Sequence, residues 1–174
     1  MRNIELKARL ADWDGAPQVC ERLAAAPQGE IHQVDTYFRV PGGRFKLREA
    51  KPGRTELVFY RRPDTAGPKG CDYVLEAVAP SIKGMLEDAL GILAVVDKVR
   101  TLWLWHNVRI HLDEVKGLGR YIEFEAVMAD GQDDSEGYDR LGTLIEAFGL
   151  QQDDMEPVSY LDLTLASPGR ELAG

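Results

Sequence analysis

The sequence has little of what marks secreted, membrane-spanning or DNA-binding proteins. Its two cysteines, Cys20 and Cys71, form neither a disulfide framework nor the spacing of a metal site. No run of about 18 apolar residues occurs, and the opening MRNIELK lacks the apolar stretch of a signal peptide. The formal net charge of -8 and the pI of about 4.9 argue against a general basic surface for nucleic acid. We therefore expect a cytoplasmic protein with reduced thiols and with no nucleic-acid or membrane partner.

What is present is typical of one globular domain. The 174 residues are 44% hydrophobic and 29% charged, which allows a sizeable core. With no repeat or linker in the pattern, we predict a single domain over residues 1–166 and a disordered tail over residues 167–174. In a chain this acidic, an anion site would have to be a local concentration of lysine and arginine.

Alternation of apolar and polar residues predicts about eight β-strands. In the first, RNIELKARL, Ile4, Leu6 and Leu10 fall on one side, and charged residues on the other. Turn signals such as Pro41-Gly42-Gly43 favour antiparallel hairpins between strands. The predicted strands are 2–10, 31–40, 44–50, 55–62, 71–78, 94–105, 107–115 and 120–128.

Helical spacing predicts three helices between these strands, over residues 12–26, 80–90 and 133–149. Residues 158–166 fit either a short helix or a strand. Eight strands linked by hairpins can close into a barrel, which removes exposed sheet edges. We therefore expect an α+β fold built on an eight-stranded antiparallel β-barrel with flanking helices.

Five of the predicted strands carry a charged stripe opposite an apolar one. One interpretation is a sheet whose polar face is solvated, which is a common arrangement. A barrel packed against helices, however, needs an apolar outer surface, and the charges are sorted by strand. Basic residues dominate 44–48 and 98–100, and acidic residues dominate 123–125. We therefore favour charged stripes that point into the barrel.

Charges sorted in this way suit a polyphosphate bound with a divalent metal. Lysine and arginine neutralise phosphoryl oxygens, and arginine does so with two parallel hydrogen bonds. Carboxylates hold Mg²⁺ or Mn²⁺, which polarise the phosphorus under attack. Buried charges in this number are costly when unpaired, so they imply a ligand, water or mutual pairing.

The residues resemble the CYTH family, the triphosphate tunnel enzymes. Residues 3–7, Asn-Ile-Glu-Leu-Lys, match the family's ExExK strand at two of its three positions. The resemblance covers nearly the whole chain in the family's order, and it implies an eight-stranded antiparallel barrel that forms a tunnel. The other matching segments are DTYF (35–38), FKLRE (45–49), YRRP (60–63), VDKVRTLW (96–103), VRIHLDEVKGLGRYIEFEAV (108–127) and SYLDL (159–163).

The resemblance implies a role for each charged position and implies Mg²⁺ or Mn²⁺ as the cofactor. Asp113, Glu125 and Lys98 would be the catalytic residues. Arg61 is assigned in preference to its neighbour Arg62 from the position of Pro63. The implied metal ligands are Glu5, Glu123 and Glu125, with Asp113 as a further ligand or water-orienting group. The implied triphosphate-binding residues are Lys7, Lys46, Arg48, Arg61, Lys98, Arg100 and Arg109.

Asn3 departs from the family pattern, since it stands where the first carboxylate of the motif is expected. An amide oxygen can coordinate a metal but lacks the charge, so we expect weaker metal binding, a water-mediated contact or a changed metal preference. Loss of activity is the alternative. For His111, beside Asp113 on the charged face, we favour a hydrogen bond in the tunnel wall over catalysis. We expect Asp35 and Tyr37 to be structural.

The predicted function is a metal-dependent reaction on a small-molecule triphosphate held in the tunnel. In hydrolysis of inorganic triphosphate or of an organic or nucleoside triphosphate, a water oriented by Asp113 or Glu125 attacks the terminal phosphorus. In a class IV adenylyl cyclase, the ribose 3′-hydroxyl attacks the α-phosphorus and pyrophosphate leaves.

We favour the triphosphatase over the cyclase. Characterised cyclases often carry a His-Phe pair just before ExExK, whereas Met1-Arg2 stand there in this sequence. A non-catalytic module that binds polyphosphate or nucleotide is the alternative from another class, and Asn3 favours it. The sequence leaves open whether the protein forms a homodimer.

Overall fold

The computed structural model describes residues 1–167, in which eight antiparallel strands close into a barrel, as predicted. The strands follow one another around the ring in the order β1-β5-β4-β3-β2-β6-β7-β8. Their bounds are β1 Arg2–Arg9, β2 Ala26–Phe38, β3 Arg44–Lys51, β4 Thr55–Arg61, β5 Lys69–Ala77, β6 Ile92–Trp105, β7 Val108–Val115 and β8 Gly119–Met128.

Four α-helices lie against this barrel over the described residues. They are α1 Ala16–Arg22, α2 Ile82–Leu90, α3 Ser135–Ala147 and α4 Tyr160–Ala166, with one 3₁₀ turn at Gln152–Asp154. None of the described helices is long and apolar enough to cross a membrane. Most of the predicted disordered tail, residues 168–174, lies outside the described residues.

The apolar stripes of the strands point outward and are covered by α1 and α3. Leu141 and Leu144 of α3 are fully buried against strand residues such as Ile4 and Phe124. Burial of each leucine contributes roughly 1.5–3 kcal/mol, so this contact is a main source of stability. The helix lies very close to the sheet at Gly137, where a Cβ would fall 2.7 Å from Cγ1 of Ile4. With the outside apolar, the charged stripes face inward, as predicted.

Helix α4 closes one end of the barrel. Ser159 caps the helix: its side chain accepts a hydrogen bond from the Asp162 amide, and the Asp162 carboxylate accepts one from the Ser159 amide. This reciprocal cap sets where the helix begins, and it places Tyr160 and Leu161 against Val96. The segment 158–166, which the pattern left between helix and strand, is therefore a helical cover for the tunnel.

Two elements have a boundary that differs from the sequence prediction by more than two residues. Helix α1 covers only Ala16–Arg22 instead of residues 12–26, since the backbone leaves the helical conformation and Ala24 takes a φ of 54°. Strand β2 begins at Ala26 instead of residue 31, because the long β6 pairs with it as far as Leu104 through a bulge between Pro27 and Gly29. Pairing with β6 decides where β2 begins, and local propensity does not report such long-range pairing.

Strand register sets the charge layout of the interior. Between β1 and β8, Glu5 lies opposite Glu125 and Lys7 lies opposite Glu123. Between β6 and β7, Arg100 lies opposite Asp113. Directly opposed residues on one face have neighbouring Cβ atoms, so these pairings gather carboxylates at the β1–β8 seam.

Candidate functional site

The barrel encloses a polar cavity of about 460 Å³, within the size range of small-molecule sites. All eight strands and the first residues of α4 contribute to its wall. The charged residues that line it are Glu5, Lys7, Lys46, Arg48, Arg54, Glu56, Arg62, Lys98, Arg100, Arg109, Glu123 and Glu125.

One group of cations is held by Asp35 at the β2–β3 hairpin. The Asp35 carboxylate accepts hydrogen bonds from Lys46 Nζ at 2.6 Å, Arg48 Nε at 3.2 Å and Gln33 Nε2 at 3.0 Å. Burial alone would raise the pKa of Asp35, but Lys46 and Arg48 hold this pKa well below its usual range. We call Asp35, Lys46 and Arg48 the Asp35 clamp, since the ionised aspartate fixes both cations at the cavity wall.

A second group is held by Asp113 at the β6–β7 hairpin. Arg100 donates to both carboxylate oxygens at 2.6 Å, Lys98 donates at 3.2 Å, and the Tyr160 hydroxyl donates at 2.9 Å. Burial alone would raise the pKa of Asp113, but Arg100 and Lys98 lower it. We call Asp113, Lys98 and Arg100 the Asp113 clamp.

The position of Asp113 requires a correction to its predicted role. Its side chain is completely buried, and Lys98 and Arg100 stand between it and the cavity. Both of its oxygens already accept charged hydrogen bonds, so the prediction that Asp113 binds a metal or orients water does not fit this geometry. The structure gives Asp113 a positioning role instead.

Three glutamates form an acidic wall across the β1–β8 seam: Glu5, Glu123 and Glu125. Each has an ion-pair contact with one arginine. Arg62 Nε lies 3.3 Å from Glu5, Arg100 donates to Glu123 at 2.5 Å, and Arg109 Nη1 lies 3.5 Å from Glu125. The acidic wall therefore combines the predicted metal ligands without Asp113.

The members of the acidic wall differ in their ionisation. Burial raises the pKa of Glu5, Arg62 opposes this, and the two neighbouring glutamates raise it further. Burial would also raise the pKa of Glu123, but its contact with His111 and the charges of Lys98 and Arg100 bring it well below the usual value. The pKa of Glu125 is lowered, because His111 and Arg100 outweigh burial. The wall therefore presents two carboxylates that stay ionised at neutral pH.

His111 joins the acidic wall from β7. It is buried, and its Nδ1 lies 3.7 Å from Glu125 Oε1 and 3.9 Å from Glu123 Oε2, too far for hydrogen bonds. This nitrogen has no hydrogen-bond partner among the described residues. Burial and the Arg100 charge lower the pKa of His111. The tunnel-wall hydrogen bond expected for His111 is therefore missing at Nδ1.

Asn3 supplies a second unpaired acceptor at the same seam. Its side chain is buried and lines the cavity one inward position before Glu5, and its Oδ1 has no hydrogen-bond partner within residues 1–167. Unpaired buried acceptors beside ionised carboxylates are costly unless a ligand satisfies them. Carboxylate, amide and imidazole groups are all ligands of divalent cations, so the residues present fit a metal at this wall.

Two lysines of the cavity wall, Lys7 on β1 and Lys46 on β3, differ from ordinary surface lysines. Lys7 donates to the Val158 carbonyl and lies 4.3 Å from the centre of the Tyr160 ring. Burial lowers the pKa of Lys7 to about 8 and that of Lys46 to about 8. Without a bound ligand, the two lysines therefore lose their positive charge over a mildly alkaline pH range.

Arg61 requires a correction of register. Its side chain is exposed outside the barrel, 5.2 Å from the Phe59 ring, whereas Arg62 lines the cavity and donates to the Pro157 carbonyl at 3.3 Å. The inward residues of this strand have even numbers, so alternation counted from Tyr60 would have found Arg62. Counting back from Pro63 gave the neighbouring residue.

The other predicted residues line the cavity, and two residues were missed. Lys7, Lys46, Arg48, Lys98 and Arg100 are brought together, and Arg109 lies near the rim with a partly exposed side chain. Sequence reasoning missed Lys69, which donates to the Pro157 carbonyl at 3.0 Å, and the ring of Tyr160. Tyr160 lies in the matching segment SYLDL, but neither its role nor that of Lys69 shows in the alternation of the strands.

The end of the barrel opposite α4 combines apolar residues with the charged pair Arg54 and Glu56. Its cavity-lining residues include Ile31, Ala50, Leu75 and Leu102, each far along its strand from α4. The cavity therefore has a charged middle, one end covered by Tyr160 and one end suited to an organic group.

Comparisons with known proteins agree with this architecture. The family model described as CYTH domain matches residues 1–160. No curated protein matches the chain. Among solved structures, the PH1012 protein of Pyrococcus horikoshii OT3 is similar at a TM-score of 0.80 and 22% identity, covering 92% of this chain and 98% of that chain.

Two further solved structures show the same fold. A conserved hypothetical protein from Pyrococcus furiosus has a TM-score of 0.79 at 19% identity, covering 92% of this chain and 99% of that chain. A "putative adenylate cyclase" from Vibrio parahaemolyticus has a TM-score of 0.77 at 24% identity, covering 94% and 98%. At these identities the likeness concerns the fold.

Proposed function

The chain belongs to the CYTH domain family, and from this premise we propose that it is a metal-dependent triphosphatase. Members of this family are typically triphosphatases or class IV adenylyl cyclases. The proposed substrate is inorganic triphosphate or an organic or nucleoside triphosphate, bound along the tunnel. The proposed reaction is hydrolysis of its phosphoanhydride.

The observation that carries this proposal is the division of the cavity into two clamps and one acidic wall. The Asp35 clamp and the Asp113 clamp present four cations, three of them buried and Arg48 partly exposed, and each is oriented from behind by an ionised aspartate. Cations fixed in advance stabilise the charge on phosphoryl oxygens without reorganising during the reaction. A triphosphate is the ligand that would use all four.

The acidic wall would bind the metal ion. Mg²⁺ or Mn²⁺ bound there would supply positive charge that polarises the phosphoryl oxygens of the substrate. Glu123 and Glu125, both ionised, would hold that cation. Glu5 would contribute less, because burial raises its pKa, whereas the pKa values of Glu123 and Glu125 are lowered.

Glu125 is the best placed of the three carboxylates to orient water. Glu123 accepts a hydrogen bond of 2.5 Å from Arg100, whereas the permanent cation nearest Glu125 within residues 1–167 is Arg109 at 3.5 Å. Its oxygens are therefore less occupied, and an ionised carboxylate accepts hydrogen bonds from water. Hydrolysis needs this water and a held phosphate chain, and positioning of both provides most of the catalysis in phosphoryl transfer.

The proposal is tested by product analysis. The protein is incubated with inorganic triphosphate, ATP and thiamine triphosphate, each with Mg²⁺ or Mn²⁺, and released phosphate is measured. Hydrolysis of at least one substrate is expected. Cyclic AMP and pyrophosphate as the main products from ATP would overturn the triphosphatase, and tight binding without turnover under either metal would establish a binding module.

A double substitution tests the acidic wall. Glu123→Gln with Glu125→Gln should abolish turnover, because it removes both ionised ligands while keeping the size of the side chains. Circular dichroism should show the barrel retained. The matched control is Glu114→Gln, on the exposed side of β7, which should leave turnover unchanged. Full activity in the double variant would mean that the reaction does not use this wall.

The second candidate is an adenylyl cyclase of the class IV type. The apolar residues at the end opposite α4 favour it, since Ile31, Leu75 and Leu102 offer contacts for a nucleobase. A cyclase must in addition hold the ribose 3′-hydroxyl in line with the α-phosphorus. The product analysis above distinguishes the two reactions with ATP alone.

A further inference from the structure

We propose that His111, Glu123 and Glu125 bind one divalent cation through a nitrogen and two oxygens, and that this site selects Mn²⁺ or Co²⁺ over Mg²⁺. The inference rests on the proposed metal dependence, but it does not depend on which triphosphate reaction the protein performs. It assigns an imidazole ligand that the ExExK resemblance does not contain.

The geometry places the three groups around a common point. Each offers one ligand atom, and these atoms all lie within 4.8 Å of one another. His111 Nδ1 lies 3.7 Å from Glu125 Oε1 and 3.9 Å from Glu123 Oε2. In an octahedral site with bonds of about 2.1 Å, neighbouring ligands are roughly 3 Å apart and opposite ones roughly 4.2 Å. The two spacings from His111 fall between these values. Glu123 Oε2 also accepts a hydrogen bond from Arg100 at 2.5 Å, so a cation fits after a rotation of the Glu123 side chain that shares or releases this bond.

The unpaired state of His111 is what distinguishes this cluster from ordinary acidic residues. Only 3% of His111 is exposed, and its Nδ1 has no hydrogen-bond partner among residues 1–167. This nitrogen nevertheless faces the side-chain carboxyl groups of Glu123 and Glu125 across less than 4 Å. A buried polar atom rarely stays unpaired, and a cation bound between the three groups would satisfy it.

Asn3 explains why the site would disfavour Mg²⁺. Its buried and unpaired Oδ1 lies at the β1–β8 seam, where a carboxylate is expected, so this wall has one negative charge fewer. Mg²⁺ depends on oxygen ligands and on charge, and it keeps water in preference to an imidazole. First-row transition metals bind imidazole readily, in an order that rises from Mn²⁺ to Co²⁺. Replacing a carboxylate by an amide and adding an imidazole therefore shifts preference toward them.

The experiment measures metal binding without any substrate. The chain is titrated with Mn²⁺, Co²⁺ and Mg²⁺ by calorimetry, and the Mn²⁺ complex is examined by pulsed electron paramagnetic resonance for coupling to an imidazole nitrogen. We expect Mn²⁺ to bind about tenfold or more tightly than Mg²⁺, with a clear nitrogen coupling. Equal affinities, or a Mn²⁺ signal with oxygen ligands only, would overturn the proposal.

Two variants and one control sharpen the result. His111→Gln should remove the nitrogen coupling and most of the preference for Mn²⁺, and Asn3→Glu should raise the affinity for Mg²⁺ relative to Mn²⁺. His32→Gln is the control, since His32 is half exposed and pairs with Asp97 outside the cavity. If nitrogen coupling persists in His111→Gln, the assignment is wrong. Because the wild-type spectrum decides by itself, an unstable variant does not remove the test.

The outcome separates this inference from the proposed function. Triphosphate hydrolysis with oxygen-only Mn²⁺ coordination would leave the triphosphatase standing and remove the imidazole ligand. Nitrogen-coupled Mn²⁺ binding without hydrolysis of any triphosphate would do the reverse.

Discussion

The Asp35 clamp and the Asp113 clamp have the same composition, one buried aspartate behind a lysine and an arginine, but they are built into the barrel differently. Within residues 1–167, Asp35 takes its hydrogen bonds from residues of β2 and β3 alone, the two strands of one hairpin. Asp113 takes one from Tyr160 as well, and its Arg100 reaches on to Glu123 at 2.5 Å. The second clamp therefore connects the cations, the acidic wall and the α4 cover.

This difference indicates that the two clamps depend on different parts of the fold. The Asp35 clamp can form with its hairpin, since its members are within 13 residues of one another. The members of the Asp113 clamp are also within 15 residues of one another, but the contacts of this clamp with Glu123 and Tyr160 form only when β8 and α4 have docked. A substitution in the Asp113 clamp should therefore also disturb the acidic wall and the α4 cover. A substitution in the Asp35 clamp should have a more local effect.

The largest expected effect separates the two aspartates. Asp113→Asn leaves Arg100 and Lys98 as buried cations without their shared anion, which typically costs about 3–5 kcal/mol when one partner of a buried pair is removed. Asp35→Asn should cost less, because Arg48 makes a single and longer bond to Asp35. Urea unfolding of both variants measures the difference. A larger loss for Asp35→Asn would contradict the comparison.

The pH dependence tests Lys46 of the Asp35 clamp. Burial lowers its pKa to about 8, so between pH 7 and 9 an empty cavity loses this charge and triphosphate affinity should fall by about tenfold per affected lysine. Lys7, with a pKa of about 8, should contribute likewise. Isothermal titration in buffers of different ionisation enthalpy should show proton uptake on binding. Lys46→Arg should remove part of this fall, whereas the exposed Lys116→Arg should not.

The stability of the fold should rise with pH over the range in which triphosphate affinity falls. The folded pKa of Lys7 and of Lys46 lies below the unfolded value of about 10.4, so the unfolded chain binds more protons above pH 8. The free energy of unfolding contributed by these lysines therefore rises with pH. The window is about pH 8 to 9, because burial raises the pKa of Cys20 to about 11 and opposes the trend above pH 9. Thermal melts at pH 7.5 and 9 check the sign.

The smallest effect concerns the hydroxyl that only the Asp113 clamp receives from α4. Tyr160→Phe removes one hydrogen bond to a charged group and should cost about 1.5–3 kcal/mol at most. Triphosphate affinity should fall severalfold, since Lys7 and Lys98 keep their contacts with the aromatic ring. The matched variant Tyr37→Phe removes the hydroxyl 3.3 Å from Lys46 and should change affinity less. Equal losses in the two variants would mean that α4 has no special connection to the cavity.

Much of this arrangement was predictable from alternation along the strands. The stripes that contain Lys46, Arg48, Lys98 and Arg100 were expected to point inward, and they do. Arg61 was misplaced because a single residue of register moves a side chain to the opposite face. Asp113 shared a stripe with lining residues, yet its neighbours cover it, and a linear pattern carries no information about which inward side chain is outermost.

The sequence by itself determined the strands, the sorting of charge by strand, the family and the position of Asn3, because a period of two residues and local turn signals are properties of the chain alone. Only the tertiary structure decided which carboxylates stay free. Pairing of β6 with β7 placed Arg100 opposite Asp113 and removed that aspartate from the cavity. Pairing of β7 with β8 brought His111 opposite Glu123, and the polar contacts of a buried side chain depend on such long-range neighbours.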